Sequence, residues 1–100
     1  MRKFRTHDEY LEKSLRDPKE AALYLEAAAA EEDPALLLVA LAQVVRAHGV
    51  SGMARKVSLT RAGLYKTVSS RGNPELKTFM GILKASGLQM SFRPAPHQHH

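Results

Sequence analysis

The sequence contains no cysteine, so disulfides, thiolate nucleophiles and cysteine-bound zinc are ruled out at once. It has no apolar run near the roughly 20 residues that a bilayer crossing needs, and no membrane association is expected. Across residues 34–74 it has no acidic residue, although Arg46, Arg55, Lys56, Arg61, Lys66 and Arg71 all fall there. Beyond residue 34 one carboxylate, Glu75, and one interior histidine, His48, are too few to assemble a catalytic set. Neither an enzyme activity nor a cofactor is therefore expected. Ser69-Ser70-Arg71-Gly72 carries serine and glycine but not the spacing of a phosphate-binding loop.

What is present is the composition of an ordinary globular chain, 44% hydrophobic and 25% charged, and 100 residues suffice for one modest core. The net charge of +5 hides an asymmetry: acidic residues outnumber basic ones over residues 1–33, and basic residues dominate over residues 34–100. A polyanion suits the second segment, because lysine and arginine displace the counterions condensed on a phosphate backbone; the plainer reading is a solvated basic surface. Met1-Arg2-Lys3-Phe4-Arg5 is basic like a signal-peptide start, yet Thr6-His7-Asp8-Glu9-Tyr10 is polar where an apolar stretch belongs, so a cytoplasmic location is expected.

Helix signals recur along the chain. Residues 8–15 suit a short helix, and Asp17-Pro18 and Asp33-Pro34 each pair a capping aspartate with the proline favoured at a first helical position. The helix after Pro18 should run to about residue 30, with Leu23, Ala27 and Ala30 on one face. The helix after Pro34 should run to about residue 48 and is apolar nearly all round, so it must be covered on several sides; Leu37, Leu41 and Val44 are assigned to the core and Gly49 to its end. Ser51 is expected to cap a short helix to residue 57, and Thr60 a further one to about residue 68. A last helix over residues 74–86 would bury Leu76, Phe79, Met80 and Leu83 and stop at Gly87. Beyond it Leu88, Met90 and Phe92 alternate with polar residues, the pattern of a short strand that would pair with its symmetry mate in a dimer.

Residues 50–69 meet the requirements of a helix-turn-helix. Ala54 supplies the small residue at the crossing, Leu59 the apolar turn residue, and Leu64 and Val68 the inner face of the second helix. Thr60, Arg61, Ala62, Tyr65, Lys66 and Ser69 are left facing outward, and a helix of this kind fits the major groove of DNA. This stretch resembles the lambda-repressor-like helix-turn-helix. The wider run from Asp33-Pro34-Ala35-Leu36-Leu37-Leu38 through Gly49-Val50-Ser51 resembles the addiction-module antidote family of HigA-like antitoxins. So do Leu64-Tyr65-Lys66, Gly72-Asn73-Pro74, Leu76-Lys77-Thr78 and Leu83-Lys84-Ala85-Ser86-Gly87-Leu88, and the likeness covers roughly residues 8–92.

The resemblance implies a homodimer that neutralises a RelE-like ribonuclease toxin and represses their shared promoter by binding double-stranded operator DNA. In one respect the chain departs from the family: Ser58 stands where the turn usually has glycine, and serine adopts a left-handed turn only with strain. On this reading Arg61 is the first candidate for a two-point contact to guanine, Ala62 for a thymine methyl, and Thr60, Tyr65 and Lys66 complete the base-contact set. Ser51, Gly52, Arg55, Ser69, Arg71 and Asn73 are candidates for the phosphate backbone. Glu9 and Glu12, in the acidic N-terminal part, are candidates for docking a basic toxin, against the plain reading of a solvated helical face.

The expected fold class is all-α: a five-helix lambda-repressor-like domain over residues 34–92, an N-terminal helical extension over residues 1–33, a short C-terminal strand, and a disordered tail or tag remnant over residues 93–100. His48 is expected to meet the last carbonyls of its helix rather than a metal, and His97, His99 and His100 to belong to the tail. The four methionines are read as core filler. Two other functions fit the same residues: a stand-alone prophage-type regulator with no toxin, and an interaction module whose helix-turn-helix shape is not used on DNA.

Overall fold

The computed structural model describes residues 7–69 and 71–96. Among them lie six helices: α1 (His7–Ser14), α2 (Pro18–Ala30), α3 (Pro34–His48), α4 (Val50–Lys56), α5 (Arg61–Thr67) and α6 (Leu76–Ala85). The expected five-helix domain with a C-terminal strand is thus corrected to six helices and, among the described residues, no strand. The tail histidines and Ser70 lie outside the described residues.

Helices α2 and α3 begin as their sequences require. The carboxylates of Asp17 and Asp33, both on extended backbone, accept the amides of Lys19 (3.0 Å) and Ala35 (2.9 Å), and the proline that follows each gives up no hydrogen bond in a first turn. Helix α3 is the centre of the N-terminal half, with α1 and α2 packed on it. Its Leu41, Val44 and Val45 are buried with Leu15, Ala21 and Leu25. On α2 the buried face is therefore Ala21 and Leu25, not Leu23, Ala27 and Ala30, which point outward; Leu23 is 62% exposed.

Gly49, at φ +95°, ends α3 and opens α4, which departs at 102° to it. The start of α4 is accordingly Val50, capped by Gly49, and not Ser51. Turning there sends Val50, Met53 and Ala54 into the core, and α4 becomes the bridge that contacts α3, α5 and α6.

Helix α6 buries Ile82 and Leu83 and keeps Phe79 half-buried, while Leu76 (66% exposed) and Met80 (48%) face out, so its inner face is rotated from the expected one. The chain then folds back instead of extending as a strand. The amides of Gly87 and Leu88 close on the carbonyls of Lys84 (3.0 Å) and Leu83 (2.8 Å), and Leu88 and Met90 line a cleft with Leu25, Leu37 and Phe79. Arg93 reaches Glu26 on α2 at 2.9 Å. A period-two pattern needs a neighbouring strand to become sheet; here two of its three apolar residues, Leu88 and Met90, pack on the helical core and Phe92 is left 87% exposed.

Candidate nucleic-acid interface

Helices α4 and α5 are joined by four residues, 57–60, whose geometry is set at both ends. Helix α4 closes with two reaching-back bonds: the amide of Ser58 to the carbonyl of Arg55 (3.2 Å) and the amide of Leu59 to that of Ala54 (2.9 Å). This closure places Ser58 in the left-handed region at φ +59°, the conformation anticipated where a glycine is usual. Thr60 then caps α5, its hydroxyl accepting the amide of Gly63 at 2.9 Å. Leu64 and Val68 are buried, Leu59 is half-buried in the turn, and Ala54 is buried on α4, so each residue expected to seat the second helix does so.

With that side fixed inward, Thr60, Arg61, Ala62, Tyr65, Lys66 and Ser69 are all exposed on the other side. Two groupings form among the expected site residues. In the first, Nη1 of Arg61 donates to Oγ of Ser51 on α4 at 2.8 Å, and its guanidinium lies 5.6 Å from the centre of the Tyr65 ring. The Ser51 hydroxyl was assigned no such role from the sequence; ten residues of separation give no periodic signal for it.

In the second grouping Lys66, Thr67, Ser69, Arg71, Gly72 and Asn73 line a cleft at the end of α5. Gly72 is what lets the chain pass so close: a Cβ there would collide with the backbone carbonyl oxygen of Thr67. Neither the close approach of Gly72 nor the packing of Gly63 against the Thr60 hydroxyl was legible in the sequence, although the capping role of Thr60 itself was. Gly52 is half-buried and Arg55, beside it on α4, is exposed. Among the described residues none of Arg55, Lys56, Lys66 or Arg71 is ion-paired, whereas Arg93 pairs with Glu26 elsewhere on the molecule. Glu9 and Glu12 belong to neither grouping; they stand on α1, which packs against α3.

At the end of α3 the carbonyl of Ala47 accepts from Nε of Arg16 (3.1 Å), and the pKa of the exposed His48 is lowered, by the desolvation its neighbours impose first and by the charges of Lys56 and Arg16 after it.

What the fold defines is an all-helical protein with a cationic outer face on two short consecutive helices. The family described as probable addiction module antidote protein matches residues 5–94, and the chain belongs to it. It is 40% identical over 75 residues to an uncharacterized protein of Haemophilus influenzae strain Rd, spanning 75% of this chain and 77% of that relative. No solved structure matches the chain. Membership of an antidote family points to a regulatory, antitoxin role and to a toxin as partner.

Proposed function

We propose that the protein is a cytoplasmic antitoxin that represses its own promoter, acting as a homodimer that lays α5 in the major groove of each operator half-site and neutralising a RelE-like toxin through another surface. The observation that carries the DNA part is the outer face of α5. Arg61, Tyr65 and Lys66 are exposed on a helix held from behind by Leu64 and Val68, in a segment of 41 residues, 34–74, without one carboxylate.

Thr60, Arg61, Ala62, Tyr65 and Lys66 are assigned to base edges, and Ser51, Gly52, Arg55, Ser69, Arg71 and Asn73 to the phosphates on either side. The exposed Leu76, Met80 and Phe92 support a second copy as their cover, which would set two half-sites about one DNA turn apart. Glu9 and Glu12, on α1, suit the docking of a basic toxin.

A gel shift on the protein's own promoter tests the DNA part. Arg61→Ala should cost about 1–3 kcal/mol and relax preference at one base pair, whereas Arg71→Ala should weaken all sequences alike. Equal losses on promoter and random duplex for both variants reject the assignment. Co-expression with the neighbouring reading frame tests the antitoxin part: a stable complex and rescued growth are expected, and charge reversal at Glu9 and Glu12 should weaken that complex.

A further inference from the structure

Arg61 is not a loose side chain awaiting a ligand. It is the first residue of α5, yet its guanidinium crosses to α4, bonds the Ser51 hydroxyl at 2.8 Å and lies over the ring of Tyr65, one turn further along its own helix. A free arginine samples many rotamers, and fixing it costs more conformational entropy than fixing almost any other side chain. Here two neighbours on two elements hold it before any partner arrives.

The chemistry of the three groups leaves the arginine competent to bind. Guanidinium has five N–H donors, and the bond to Ser51 occupies one, so enough remain in its planar fork for two parallel bonds to the O6 and N7 acceptors of guanine. Oγ of Ser51 acts as the acceptor, and its own proton stays available for a phosphate oxygen. A hydroxyl polarised by a cation is the stronger donor, so a phosphate bond made by Ser51 and a base contact made by Arg61 reinforce one another. Tyr65 presents its ring face to the cation and fixes the fork from the other side.

We propose that Ser51 and Tyr65 are positioning residues that hold Arg61 in its base-reading geometry and tie that reading to the phosphate register of α4. The inference rests on the proposed DNA reading by α5 and deepens it. It reassigns Ser51 from a contributor of backbone contact alone to a partner of the arginine, and Tyr65 from a base contact to the support beneath it.

The test measures affinity of the full chain for promoter duplex, for promoter duplex changed at the base pair read by Arg61, and for random duplex. Ser51→Ala should lose about ten-fold on the promoter, the scale of one charge-assisted hydrogen bond, and less on random DNA, where only its phosphate bond is lost. It should also flatten the preference at that one base pair, and the loss of the double variant with Arg61→Ala should fall clearly short of the sum of the two single losses. Tyr65→Phe should keep the preference and Tyr65→Ala should erode it a few-fold.

Fully additive losses for Ser51→Ala and Arg61→Ala overturn the positioning role while leaving the DNA reading intact. An Arg61→Ala variant that binds promoter like the wild type overturns the DNA reading itself. Side-chain NMR of the free protein gives a readout without DNA: rotation of the Arg61 guanidinium should be hindered in the wild type and freed in Ser51→Ala, and equal mobility in both would contradict the proposal.

Discussion

Helices α2 and α3 each start on an aspartate that takes a backbone amide and a proline suited to the first turn, and they run for 13 and 15 residues. Helices α4 and α5 have seven residues each; α4 has no side-chain cap and ends on a serine in a left-handed conformation. Helices that short are not stable by themselves. They exist because Val50, Met53, Ala54, Leu64 and Val68 are buried against the rest of the chain. The difference shows how the second pair can carry a cationic outer face at little cost to the fold: inner positions hold the helices in place and outer positions are free for ligands. Inner changes should therefore disturb stability and binding together, and outer changes binding alone.

The severest break is expected at Leu64. It is fully buried, and Leu64→Ala should lower the unfolding free energy by about 2–5 kcal/mol in denaturant titration, with DNA binding falling in step. Next is Gly72→Ala, where the added Cβ meets backbone and not a yielding side chain. A loss of about 1–3 kcal/mol is expected, with NMR shifts concentrated in residues 66–69.

The cap of α3 is worth less. Asp33→Ala should cost about 1 kcal/mol, read as a lower denaturation midpoint, without changing affinity for DNA. Ser58→Gly runs the other way: relieving the left-handed serine should stabilise the protein by about 1 kcal/mol, and unchanged promoter binding would show that the glycine usual at this turn is a matter of backbone strain alone.

The smallest effect is a pH slope at His48, whose pKa in the folded chain lies below its ordinary 6.5. The unfolded chain takes up the proton more readily, so this contribution is complete above that value and is lost as the pH falls through and below it. Comparing denaturation midpoints at about pH 5 and about pH 7.5, His48→Gln should show a shallower acid loss than the wild type.

The sequence was most legible where a structural signal is local. Asp17-Pro18, Asp33-Pro34, Gly49, Thr60 and Gly87 mark helix ends through their own backbone and side-chain chemistry, and all stand where they were expected to. Leu64 and Val68 were legible because four-residue spacing in a short helix leaves only one way to face inward.

Legibility failed where the choice lies between faces. On α2 the alanines make Leu23, Ala27 and Ala30 as plausible a stripe as Ala21 and Leu25, and alanine discriminates weakly because it buries so little area. On α6, which packs on α4, the count from Leu76 missed Ile82, which is fully buried. The alternation at Leu88, Met90 and Phe92 suits a strand, but an irregular segment that lays Leu88 and Met90 against helices leaves the same imprint. The bond from Arg61 to Ser51 depends on how two helices cross, which no spacing within either one encodes.

The most direct trial of the central claim is the affinity of the wild-type chain for its promoter duplex as a function of salt, set beside that of a variant in which Arg61, Lys66 and Arg71 are all alanine. If the outer face of α5 grips DNA, the wild-type logarithmic slope should be steep, about −0.9 for each phosphate contacted, and the variant's should be shallower by about one unit, for the lost phosphate contact of Arg71, with its affinity lower at every salt concentration. Two parallel lines, or a wild-type affinity indifferent to salt, would contradict it.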